Sequence, residues 1–116
     1  MTIPEPVRTS AEREVREFCE QRIPAHIRDQ VRLEVGVRGN AISIFERRPP
    51  WRPDFGPEWS RLKIAQLRYD PSARTWTLFW ADRRGRWLPA PDVGPAPQVT
   101  PLLTEIDRDP TGAFWG

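Results

Sequence analysis

Val31-Arg32-Leu33-Glu34-Val35-Gly36-Val37-Arg38, then Gly39-Asn40, then Ala41-Ile42-Ser43-Ile44, is the stretch that decides the fold. Its apolar residues recur every second position, the period of a strand with one buried and one solvated face. Gly39-Asn40 has the chemistry of a two-residue hairpin turn, because both residues tolerate positive φ. Closing the turn there sets Val37 opposite Ile42 and Val35 opposite Ile44, so the apolar registers of the two strands agree.

Downstream, Arg47 to Trp59 holds four prolines and two tryptophans and cannot be a central strand. A second hairpin is expected from about Leu62, with a loop from Pro71 to Arg74. That loop places Tyr69 opposite Trp76, Leu67 opposite Leu78 and Ala65 opposite Trp80. Asp82-Arg83-Arg84-Gly85 reads as a turn with Gly85 left-handed, returning the chain into a fifth strand at Arg86-Trp87-Leu88. Trp76, Trp80 and Trp87 are expected on the buried face. Residues 47–59 and 89–101 are proline-rich loops. After the second of these, Thr100 caps a short helix with Pro101 at its first position and Leu102, Leu103 and Ile106 inward.

Upstream, Thr9 and Glu12 have capping-box spacing, and Ala11, Val15, Phe18, Cys19 and Arg22 fall on one helical face. A helix from about Ser10 to Arg22 follows, ended by Pro24, with residues 1–8 a flexible lead-in. Short turns between neighbours favour sequential pairing. The expectation is one α+β domain over residues 1–116: an antiparallel five-stranded meander sheet with the N-terminal helix and the short C-terminal helix packed on one face, the other face largely wet.

Read together, Phe18-Cys19, Ile23-Pro24, Arg28-Asp29-Gln30-Val31-Arg32, Phe45-Glu46-Arg47-Arg48-Pro49, Trp51, Ala65-Gln66-Leu67-Arg68-Tyr69, Trp76 and Phe114-Trp115-Gly116 make the chain resemble the bacterial family catalogued as domain of unknown function 3024. The resemblance spans almost the whole chain. It implies a small bacterial protein and transfers no catalytic residue.

Composition narrows the classes. Eighteen basic against sixteen acidic side chains leave a formal charge of only +2, too small by itself to imply a polyanion partner. Seventeen of the eighteen bases are Arg, which reflects either a GC-rich coding bias or the fit of Arg forks to carboxylate and phosphate. No charge-free window approaches a membrane span. The opening Met1-Thr2-Ile3-Pro4-Glu5-Pro6 has no basic start followed by an apolar run, and Cys19 has no partner Cys, so a cytoplasmic, unanchored protein is expected.

Catalytic constellations are sparse. One His and one Cys cannot make a zinc site, and Asp70, Asp82, Asp107 and Asp109 sit where turns and caps use Asp, so no metal and no cofactor is expected. Cys19 lies on the apolar helix face, the place of a buried inert thiol. His26 with Asp29 is the remaining acid/base pair for a hydrolase-type enzyme, and a loop histidine binding backbone is its bland equivalent. Asp54, Glu58 and Lys63 have the residue types of a metal nuclease without the close Glu-x-Lys element. The glycines stand singly at turns and form no phosphate-binding loop. Trp51 and Trp115 either pin their segments to the body or present a ring to a ligand.

The meander itself supplies the expected site. It delivers Arg47, Arg48, Trp51 and Arg52 to the same end of the sheet as Arg83, Arg84 and Arg86, with Arg28 and Arg32 close by. The expected function is a non-enzymatic binding module for a polyanion such as nucleic acid, with Trp51 a stacking platform. The bland account has Asp29, Glu46, Asp54, Glu58 and Asp82 neutralising these arginines. A protein-interaction or homodimerisation domain is the alternative, using the open face or an edge strand.

Overall fold

Hairpin chemistry carries through to the whole architecture. The computed structural model describes residues 3–50, 52, 54 and 56–115. Five strands, β1 (Arg32–Arg38), β2 (Ala41–Arg48), β3 (Ser60–Asp70), β4 (Thr75–Ala81) and β5 (Trp87–Pro89), pair antiparallel in sequence order. Val37 faces Ile42 and Val35 faces Ile44, and Tyr69 faces Trp76, Leu67 faces Leu78 and Ala65 faces Trp80, as the alternation requires. At the first turn only Gly39 needs the left-handed region, with φ of 59°, the pattern of a type II′ turn.

Aspartates set the other two turns. Asp70 Oδ1 accepts from the amides of Ser72 and Ala73 at 2.9 and 3.3 Å, closing the 71–74 loop. Asp82 Oδ1 accepts from the amides of Arg84 and Arg86, both at 2.9 Å, while Oδ2 takes Arg86 Nε at 2.8 Å. The Arg86 amide is the largest cause holding the Asp82 carboxyl below its ordinary range. Desolvation opposes it, and the Arg86 guanidinium and Arg84 amide reinforce it.

Two helices cover one face. In α1 (Glu5–Arg22), Ala11, Val15 and Cys19 are buried, and in α2 (Thr100–Arg108), Leu102, Leu103 and Ile106. They share one core cluster with Ile42, Ile44, Ile64, Ala65, Leu67, Trp76 and Leu78 from β2, β3 and β4. Burying each Ile or Leu of this set contributes about 1.5–3 kcal/mol. Trp115 is pinned as its position near the C-terminus allows: its Nε1 donates to the Ile106 carbonyl at 2.8 Å, and the Arg22 guanidinium lies 3.9 Å from its ring centre.

Four local expectations are corrected. α1 begins at Glu5 rather than Ser10, without a side-chain cap and with a proline in its first turn. Ile3, only 5% exposed, inserts into the core, so burial and a proline-set φ start the helix in place of the capping box. Thr100 does not cap α2: Val99 is its N-cap and is itself buried, and Thr100 Oγ1 instead donates to Glu14 Oε2 at 3.3 Å. Trp87 is not on the helix-covered face. The β4–β5 register sets it opposite Ala81 and sets Leu88 opposite Trp80, which turns the indole to the other side of the sheet. That other side is also drier than expected, because Ser43, Phe45 and Gln66 on it are buried.

One irregularity positions that second face. Between β2 and β3 the register steps from Ile44 opposite Ala65 to Phe45 opposite Lys63, leaving Ile64 as an extra, bulged residue. Ile64 and Ala65 both enter the core. Arg61 and Lys63 therefore point away from the helices, although strict alternation from Ala65 would turn them inward.

Candidate functional site

The face opposite the helices is built from rows of cross-strand neighbours. Arg32, Arg47 and Arg61 stand directly opposite one another on β1, β2 and β3. The next row is Glu34, Phe45 and Lys63, then Gly36, Ser43, Gln66 and Phe79, then Arg38, Ala41, Arg68 and Thr77. Like charges directly opposite destabilise a sheet, so the row of three arginines needs an account.

Part of that account is stacking. The Arg61 guanidinium lies 3.7 Å from the centre of the Phe45 ring, Arg68 3.9 Å from Phe79 and Arg32 4.3 Å from Trp59. Lys63 Nζ is 5.4 Å from the Trp87 ring and donates to the Gly85 carbonyl at 2.6 Å. Each contact of this kind contributes about 0.5–1 kcal/mol at an exposed site. Gly36 leaves room for the Phe45 ring, which a Cβ there would touch at 3.5 Å. Beneath the arginines, Gln66 Nε2 donates to Ser43 Oγ at 2.9 Å and Arg68 Nε to Gln66 Oε1 at 2.6 Å, so the buried polar groups are satisfied. The result is a set of guanidinium groups, each lying over a ring.

The expected site residues fall around this face. Arg47 is held by Glu34 Oε2 at 2.6 Å and by the carbonyls of Ser60 and Trp59 at 2.9 and 3.2 Å. Arg48 pairs with Glu46 at 2.7 Å, and Arg86 with Asp82. Arg52, Arg83 and Arg84 are exposed. Trp51 lies outside the described residues. The turn carrying Arg83 and Arg84 adjoins Lys63 through the Gly85 contact, so the clusters at residues 47–48 and 83–86 occupy one end of the sheet.

Sequence reasoning assigned no role here to Arg61, Arg68, Phe45, Phe79, Trp59 or Trp87. A signal was present. In Arg61-Leu62-Lys63-Ile64-Ala65-Gln66-Leu67-Arg68 the polar residues are odd-numbered up to 63 and even-numbered from 66, a phase slip that marks the bulge and aligns all four on one face.

Charge is unevenly divided between the sheet segment and the rest of the chain. Residues 28–89, which hold every strand, carry thirteen Lys or Arg against seven Asp or Glu, a balance of +6, and the remaining residues carry five against nine, a balance of −4. A cleft of about 420 Å³ between α1 and α2 is walled by Glu14, Glu17 and Asp107, with Arg22, paired to Asp107 at 2.7 Å, its one cation among the described residues. By contrast, a groove of about 370 Å³ along β1 is lined by Arg16, Arg32, Arg47 and Trp59, with Glu34 its one carboxylate.

Cys19 is buried, and burial pushes its thiol up to about 12, with nearby Arg16 lowering and Glu20 raising it further. His26 and Asp29 are both exposed. Among the described residues no group of three or more His, Cys, Asp or Glu is arranged to hold a metal ion. No described helix is long and apolar enough to cross a membrane.

No curated protein and no solved structure matches this sequence. A family model described as domain of unknown function (DUF3024) matches residues 3–116. With nearly its whole length matched, and with the arginines, prolines and tryptophans of the resemblance distributed along it, the chain belongs to the DUF3024 family.

Proposed function

We propose that this protein is a non-enzymatic, cytoplasmic binding module for single-stranded nucleic acid, using the uncovered face and basic end of the sheet. The observation that carries this reading is the pairing of Arg61, Arg68 and Arg32 with Phe45, Phe79 and Trp59 on a face that no described helix covers. Unpaired bases stack on aromatic rings and on guanidinium planes alike, whereas a duplex keeps its base faces hidden. A guanidinium held flat over a ring offers its outer plane to a base and its N–H edge to a phosphate. The acidic helical side repels the same polyanion, so the molecule is oriented as it approaches.

Arg83 and Arg84 extend the surface with phosphate contacts. Such contacts release counterions, so binding weakens steeply with salt and shows little sequence preference. Fluorescence anisotropy with a labelled oligothymidylate at low and physiological salt tests the reading. The native protein is expected to bind the single strand in preference to a duplex. Arg61→Ala/Arg68→Ala should weaken binding by roughly tenfold or more, given about 1–3 kcal/mol per stacked base, and Arg83→Ala/Arg84→Ala should flatten the salt dependence. No binding at low salt, or equal binding by all variants, would sink the proposal.

A second reading, self-association, is favoured by Leu62 and Leu88, which are 59% and 38% exposed. A dimeric mass in solution that Leu62→Glu abolishes would support it.

A further inference from the structure

Three arginines in a direct cross-strand row are an unfavourable arrangement for the sheet alone, and among the described residues one carboxylate is paired within the row. Glu34 gives Oε2 to Arg47 at 2.6 Å and Oε1 to Arg61 at 3.4 Å. Both guanidiniums are also fixed from elsewhere. Arg47 is tied by Nε and a terminal nitrogen to the carbonyls of Ser60 and Trp59, and Arg61 rests on the Phe45 ring. Neither anchor depends on Glu34. Withdrawing the carboxylate would leave two oriented guanidinium groups converging on one vacated position, at the rim of a groove with Arg32 and Arg16 on its wall and no other acid among the described residues.

From this geometry we infer that Arg47 and Arg61 form a phosphate subsite in which Glu34 is a resident stand-in, displaced when the anion binds. A phosphodiester presents two terminal oxygens as a carboxylate does, and guanidinium forks suit both. Glu34 is exchangeable: its side chain is 39% exposed, and ion pairs at such sites are individually weak. The carboxylate does three things in the unliganded protein. It offsets the repulsion within the arginine row, keeps both forks aligned, and sets a threshold that excludes weak anions.

This inference rests on the reading of the face as a nucleic-acid interface, and the test separates the two. Pyrophosphate is titrated into the native protein and Glu34→Gln while the Nε–Hε NMR signals of Arg47 and Arg61 are followed, and oligothymidylate anisotropy is measured in parallel. Both arginine signals are expected to move, at roughly five- to tenfold lower pyrophosphate in Glu34→Gln, with oligonucleotide affinity raised by a similar factor, since about 1.4 kcal/mol corresponds to tenfold. Adding Arg61→Ala to Glu34→Gln should cancel the gain. The subsite is overturned if neither arginine responds to pyrophosphate in either protein, or if Glu34→Gln binds no better an oligonucleotide that the native protein does bind. A pyrophosphate response at both arginines with no oligonucleotide binding at any salt would uphold the subsite and remove nucleic acid as its ligand.

Discussion

The two faces of this sheet are dry by different means. The face under the helices buries Ile42, Ile44, Leu67, Trp76 and Leu78 against aliphatic side chains of α1 and α2. The opposite face buries Phe45, Ser43 and Gln66 beneath arginines, with polar bonds threaded between them. Cover by helices is a packed core, in which lost volume leaves a cavity. Cover by arginines consists of long side chains that lie over apolar surface with their charged ends near water. The first kind of cover stabilises the fold; the second can also be lifted or shared with a ligand.

Truncation should separate the faces most clearly. Leu78→Ala, on the helix side, is expected to cost about 2–5 kcal/mol of unfolding free energy. Arg68→Ala on the other side removes one stacked guanidinium and its bond to Gln66 Oε1, and is expected to cost about 1–2 kcal/mol. Urea unfolding of both variants checks this, and equal costs would erase the contrast.

An effect confined to alkaline pH is read from Cys19. Cys19 ionises near 9.0 when unfolded and at about 12 when buried, so the thiolate is favoured by the unfolded state. Its stabilising contribution is complete below pH 9 and is lost as pH rises towards 12, at up to about 1.4 kcal/mol per pH unit. Cys19→Ala should therefore lose less stability than the native protein over that window in parallel alkaline denaturations. The other titrating groups are common to both and cancel in the difference.

Smaller again is the turn at Asp82. Its carboxyl is held below the ordinary range, so its contribution is present above about pH 4 and fades as pH falls through the lowered value. Asp82→Ala should speed hydrogen exchange at the Gly85 and Arg86 amides while leaving the Tyr69 amide, bonded to the Asn40 carbonyl, protected. Smallest of all, Arg83→Ala/Arg84→Ala should change unfolding free energy by less than about 0.5 kcal/mol, because both side chains are exposed.

How much was legible depends on which side of the sheet is asked about. The helix-covered face follows from Val35, Val37, Ile42 and Ile44 and from Leu67 and Leu78, because period-two burial and turn residues fix the register together. Trp87 escaped because its three-residue strand is too short to show a period, and its side was set by the turn before it. The basic end was visible in Arg47, Arg48, Arg83 and Arg84, since meander topology alone brings them together. The stacked arginines were not. Arg61 meets Phe45 only through the β2–β3 register and its extra residue, whereas Arg68 meets Phe79 across β3–β4, where the register was legible but the reach of a long side chain to a diagonal ring was not. The start of α1 was missed because capping chemistry is a local signal, and the anchoring of Ile3 is a tertiary one.

Ile64 has a consequence in the arithmetic of the gene. Upstream of it, side is assigned by odd and even counting from the bulge, so one codon determines whether Arg61 and Lys63 meet solvent or the helices. Insertions or deletions of one residue at the start of β3 act as inversions of polarity, exchanging Leu62 for its charged neighbours. Length changes in the 49–59 connection leave that count untouched. Variation in this fold is thus free to lengthen a loop and tightly held in the few codons before Ala65.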